Sequence, residues 1–302
     1  MMGRAGRKHD GTGAKVDVVV DSGDTEFVEK LTEGGSAKVK SVMSDSELLA
    51  SALISEVYRG TVPDLEAAGR WCGRSLLAYM GGRPPVALAL QILEEVEAIQ
   101  VKGGKFFLTP VGECAARFYF HPADVFAWQR NFSLMFELGV EDDDVAPAWA
   151  VGNVPFDRVV GDLGPKRELI STCAARLPLG LGIMEGSAIN VTIWWSVMGG
   201  PGVGQMRPAV LERRRDFGRV LSAIRWMFKD SRDRSYLEEL RERVALGVPT
   251  RLIDICRKGR IGKAKAAALY SMGVRSTDDA SVIIRKAGDL DDEDSQPFEE
   301  GP

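Results

Sequence analysis

The sequence predicts a mainly α-helical protein with one β-hairpin, and three observations predict it. Apolar residues recur every three to four positions through most of the chain between residues 44 and 279, the period of an amphipathic helix. Only one short stretch, AIQVKGGKFFLTP at 98–110, reads as paired strands around a Gly-Gly turn. The 302 residues are 45% hydrophobic and 27% charged, which is globular composition with ample core for two or three domains.

The elements follow in chain order. Residues 15–21 (KVDVVVD) read as a strand and 25–31 (TEFVEKL) as a short helix, before GGS at 34–36 breaks the chain. One strand and one helix cannot bury a core, so residues 1–36 read as the end of a larger domain. Ser44 with Glu47 forms a capping box opening a helix whose apolar side carries Leu48, Leu49, Ala52, Leu53, Ile54 and Val57. A second helix starts at TVPDLEAAG with Pro63 in its first turn, and a third element covers about 70–80. Residues 84–98 form a longer helix, followed by the hairpin, with its turn at Lys102-Gly103-Gly104, and by a helix after Thr109-Pro110. Helices closed by a hairpin describe a winged helix over 37–122.

Residues 123–136 read as a helix that His121-Pro122 separates from the one before, His121 ending that helix. The run EDDDVAPAW at 141–149 reads as a solvated linker. Helices at 166–177, 183–198, 207–229 and 233–245 make 123–248 a helical bundle. The Gly-rich GGPGVGQ at 199–205 lacks the lysine of a phosphate loop and reads as a flexible inter-helix loop. Residues 250–279 read as helix, tight turn and helix, so 249–288 form a helix-hairpin-helix. The segment 289–302 (DLDDEDSQPFEEGP) reads as a disordered acidic tail.

Composition excludes several function classes. No G-x-x-x-x-G-K-[ST], H-E-x-x-H, G-x-S-x-G or D-E-x-H is present. The four cysteines lie at least 42 positions apart and there are two histidines, so neither a zinc site nor a disulfide framework is expected. No apolar run reaches membrane-spanning length, and residues 1–10 do not read as a secretory signal. The expected compartment is cytoplasmic or nucleoid-associated, or nuclear in a eukaryote, with no membrane partner. Without the seven acids of the tail, the net charge changes from −4 to +3, which suits a polyanionic partner.

Two elements carry candidate binding residues. In the helix-hairpin-helix they are Lys258, Arg260, Gly262, Lys263 and Lys265. A glycine-containing hairpin lets backbone N–H groups at the second helix's start approach a phosphate, gripping a backbone without reading bases. In helix 207–229 they are Arg213, Arg214, Arg215 and Arg219, a basic face opposite the stripe Val210, Leu211, Phe217, Leu221, Ile224 and Phe228. Such a face tracks phosphates or is simply solvated. Trp226 is placed either to stack a base or to pack in the core, and Trp194-Trp195 are expected in the core.

The opening GRAGR, through Gly3, Arg4, Gly6 and Arg7, resembles motif VI (Q-x-x-G-R-x-G-R) of superfamily 2 helicases, and the segment after it resembles the last strand of their second RecA-like lobe. Residues 38–68 resemble the start of the winged helix in archaeal fork-repair and polymerase-theta-type helicases. Thr109, Gly112, Tyr119 and Pro122 match that family's T-x-x-G-x-x-x-x-x-x-Y-x-x-P signature, and residues 252–280 are similar to its closing helix-hairpin-helix. The bundle takes the place of the ratchet domain, although Asp216 and Ala209 stand where the family has its ratchet Trp and Arg.

The resemblance implies the nucleic-acid-handling C-terminal half of an ATP-dependent DNA helicase, gripping single-stranded or forked DNA. Arg4 and Arg7 would act on the ATP γ-phosphate only beside lobes that this chain lacks. ATP and Mg would belong to the complete helicase and no cofactor to this chain alone, which is not expected to hydrolyse ATP. A second chain carrying the RecA-like lobes is one expected partner. A stand-alone or split-gene accessory binding DNA or protein, and an RNA helicase fragment, are the alternatives.

Overall fold

A computed structural model describes residues 41–157, 167–201, 207–228, 231–275 and 281–283, without the side chains of 42, 207 and 231–234. Arg4, Arg7, the strand expected at 15–21, the helix at 25–31, residues 202–206 of the Gly-rich loop and the acidic tail lie outside the described residues. The described part is mainly helical, with one two-stranded sheet.

After a 3-10 turn, α1 (Ser46–Tyr58) starts under Asp45, not Ser44. The Asp45 carboxylate accepts the N–H groups of Glu47 and Leu48 at 2.9 and 3.1 Å. A carboxylate there also complements the positive end of the helix dipole. Leu48 points outward, and Ala50 takes a place in the core. Asp64 caps α2 (Leu65–Gly73). Pro63 therefore lies before the helix rather than in its first turn, and its carbonyl accepts the Phe106 N–H at 2.8 Å. The short α3 (Leu76–Tyr79) and then α4 (Val86–Glu95) follow.

Strands β1 (Ile99–Lys102) and β2 (Lys105–Leu108) pair antiparallel from Ile99 opposite Leu108 to Lys102 opposite Lys105. Gly103 and Gly104 both have positive φ, the geometry a two-residue hairpin turn needs. Thr109 caps α5 (Pro110–Phe118). Tyr119 closes that helix in the left-handed conformation. His121 does not end α5. It caps the start of α6 (Pro122–Glu137), its Nδ1 accepting the Ala123 N–H.

The acidic run is no linker. Asp143 accepts the N–H groups of Val145 and Ala146 at 2.6 and 2.8 Å, opening α7 (Ala146–Gly152), every residue of which is buried. A helix end can be buried only if its free carbonyls find donors. Three side chains supply them: Trp128 Nε1 to Val151 O, Asn131 Nδ2 to Ala150 O and Asn190 Nδ2 to Gly152 O.

The rest comprises α8 (Arg167–Ala175), α9 (Ala188–Val197), α10 (Arg207–Met227), α11 (Ser231–Leu246), α12 (Thr250–Gly259) and α13 (Lys263–Ser271). Helix α10 packs on α5, α6, α9 and α11. One apolar core consequently runs from Leu49 to Val244, with Phe120 and Val125 both in it. Trp194 and Trp195 are in it, as expected. A second, small core from Val248 to Ile283 joins α12 to α13. Gly199 and Gly200 are packed rather than loose: a Cβ on Gly199 would strike the Val248–Pro249 backbone, and one on Gly200 the Trp195 ring.

Candidate nucleic-acid interface

The two candidate elements part company in the structure. Arg213 is 9% exposed. Its Nη1 donates to Asp157 Oδ1 at 2.6 Å and its Nη2 to Asp157 O at 3.2 Å. Asp157 N and Phe156 N donate in turn to Asp124, at 2.8 Å each. Burial pushes the Asp124 carboxyl up to about 7, against the lowering effect of those two N–H bonds. His121 stacks on Phe156 with ring centroids 3.7 Å apart, and burial pulls its imidazole down to about 4. Arg213 is thus the counter-charge of a buried acidic network and is not offered to a phosphate.

Arg219 is also engaged. It forms a two-toothed pair with Asp216 (2.9 and 3.0 Å), reaches the Phe118 and Tyr119 carbonyls, and lies 4.1 Å from the Phe120 ring centroid. The Asp216 bond holds its guanidinium above its ordinary value. Trp226 packs, partly buried, against the main core. Leu211, assigned to the apolar stripe, is exposed. Of the α10 candidates, Arg214 and Arg215 remain outward.

The terminal helical pair is arranged differently. Arg260 closes α12 in the left-handed conformation, and Gly262 stands at the N-cap of α13 in extended geometry with no side-chain cap. Among the described residues other than its chain neighbours, no atom lies within 4 Å of where a Gly262 Cβ would be. The first N–H groups of α13 thus receive no bond from an N-cap side chain, and the positive end of the helix dipole lies behind them. Lys258, Arg260 and Lys265 are exposed around this end.

Lys263 departs from its expected role. Its Nζ donates to the Gly199 and Gly200 carbonyls at 3.0 and 3.1 Å. Burial, then the Arg214 charge, lowers its affinity for its proton. Lys263 fastens the hairpin to the larger core, and Arg214 stands beside it. Ion pairs Arg251–Asp144 (2.7 Å) and Arg257–Glu242 (3.0 Å) fasten the same seam.

The hairpin and α4 offer little to a polyanion. The exposed positions of α4 are Ala87, Leu88, Gln91, Glu94 and Glu95, two acids and no base. Only Lys102 and Lys105, at the hairpin tip, are basic. The four residues of the Thr109 signature each have a structural task. Thr109 caps α5, Tyr119 closes it and Pro122 opens α6. A Cβ on Gly112 would overlap the Ala98 carbonyl.

Residue-by-residue reading missed Arg176, Arg243 and Arg251. Arg243 had a signal: it falls at helical spacing on the stripe Tyr236, Leu240, Val244. Among the described residues no group of His, Cys, Asp or Glu is arranged to hold a metal ion, and no helix is long and apolar enough to cross a membrane. The four cysteines are free and buried, and burial pushes the Cys114 and Cys173 thiols up to about 12 and about 11. No protein-family description matches the chain, and no curated protein matches it.

Proposed function

We propose that the chain binds the phosphate backbone of single-stranded or forked DNA through its terminal helical pair, as the nucleic-acid-handling half of a superfamily 2 helicase. One observation carries the reading: Gly262 stands at the N-cap of α13 with no side-chain cap and with room beside its Cα, in a hairpin that also carries exposed Lys258, Arg260 and Lys265. That arrangement grips phosphates without reading bases. Residues 41–122 take the part of a winged helix used as a scaffold, since the outward face of α4 is acidic. The helices from α6 to α11 take the part of the ratchet bundle. ATP and Mg would be held by RecA-like lobes lying outside this chain, supplied by the same polypeptide or by a second one.

The test is fluorescence anisotropy of the full chain with matched DNA and RNA oligonucleotides across a salt series. Lys258→Glu/Lys265→Glu is expected to weaken binding at least tenfold and to flatten the salt dependence. Equal binding by this variant would place the grip elsewhere. Preference for RNA would favour the RNA-helicase reading. No binding at low salt would favour an accessory that engages a protein.

A further inference from the structure

We propose that a recess at the seam between the two cores is a binding site for a small dianionic oxyanion of the phosphate class. The recess has a volume of about 190 Å³ and is lined by Arg176 after α8, Arg243 of α11 and Arg251 of α12, together with Asp144, Trp195 and the Gly199–Gly200 backbone. The proposal does not rest on the reading of the Gly262 end.

The charge of the lining is the argument. Three arginines and one carboxylate line it. Arg251 Nη1 takes both Asp144 oxygens, at 2.8 and 2.7 Å. Arg243, 1% exposed, has only main-chain acceptors, the Asp143 and Asp144 carbonyls at 3.3 and 3.1 Å. Its Nε has no hydrogen-bond partner. Arg176 lies 5.6 Å from the Trp195 ring centroid and pairs with no carboxylate among the described residues. The Gly199 and Gly200 carbonyls, which would repel an anion, are already taken by Lys263. A neighbouring recess shares Asp144, Arg176 and Arg251 and adds Asp142 and Asp143. Of these, Asp143 is committed to the α7 N-terminus.

The lining of this recess alone carries three arginines against Asp144, and planar guanidinium donors suit a phosphate dianion. The volume falls below the roughly 300–1,000 Å³ of sites for drug-sized ligands, so the pocket takes a phosphate group and not a whole nucleotide. The phosphate is either the free ion or the terminal monoester of a nucleic-acid strand.

Titration calorimetry of the full chain with inorganic phosphate at constant ionic strength tests this. Saturable one-to-one binding is expected. Arg176→Gln, at an exposed position, should weaken it at least tenfold with unchanged melting temperature, and Asp144→Asn should tighten it. Absence of binding, or equal binding by Arg176→Gln, overturns the proposal. A competition arm then separates the sources. Better displacement by a 5′-phosphorylated oligonucleotide than by its 5′-hydroxyl twin supports the strand end, and equal displacement supports the free ion.

Discussion

The two cores treat their cations in opposite ways. The large core, from Leu49 to Val244, draws arginines inward: Arg213 onto Asp157, and Arg243 onto two carbonyls. The small core, from Val248 to Ile283, leaves Lys258, Arg260 and Lys265 outside, around an uncapped helix end. A basic residue in a sequence is thus not yet a basic surface. What decides is whether it falls on the buried stripe of its helix, where a carboxylate or carbonyl must meet it.

The largest effect should come from confusing the two kinds. Arg213→Glu leaves Asp124 and Asp157 facing a third acid and is expected to cost about 3–5 kcal/mol, read by urea denaturation. Arg215→Glu, two positions away and exposed, should stay within about 0.5 kcal/mol. Equal costs would erase the distinction between inward and outward arginines.

Changing the pH sharpens the comparison, because two strongly shifted groups, His121 and Asp124, belong to the large core. His121, lowered from 6.5 to about 4, favours the folded state when neutral, so its contribution is lost as pH falls from about 6.5 to about 4. Asp124, raised from 3.8 to about 7, favours the folded state when protonated, so its contribution is lost as pH rises from about 4 to about 7. The two slopes oppose each other over nearly one window. His121→Asn should expose the Asp124 slope, with stability falling by about 3 kcal/mol from pH 4 to pH 7, where the wild-type profile stays nearly flat. Parallel profiles would show that the two groups do not titrate in this way.

A smaller change tests the seam. Gly199→Ala puts a methyl into the Val248–Pro249 backbone at a φ of 102°. It should cost about 1–3 kcal/mol and raise amide exchange in α12 and α13 ahead of α9. Uniform exchange across both cores would mean that the seam is no weak point.

Much of this organisation was legible in the sequence. Most of the described helices, though not α7, and the hairpin with its Gly-Gly turn follow from spacing and turn chemistry. Two things were not. The EDDD run looks solvated on charge alone, and only the fold shows that Asp143 caps a buried helix and Asp144 anchors Arg251. Arg213 was read as part of a basic cluster because its neighbours are arginines, yet it shares helical spacing with Val210, Phe217, Val220 and Ile224. The period carried the information, and the local composition concealed it. At the hairpin the reverse holds. Gly262 was singled out for its backbone, and it stands at the N-cap of α13 in extended geometry with no side-chain cap.

The most direct measurement is Gly262→Asp, scored for stability and for single-stranded DNA affinity in the same buffer. Aspartate is a better N-cap than glycine, so the variant should be as stable as the wild type or more stable by a few tenths of a kcal/mol. It also sets a negative charge where a phosphate would lie, so affinity should fall at least tenfold. Stability held while binding collapses is the result the account predicts. Unchanged affinity and salt dependence in a folded Gly262→Asp chain would contradict it.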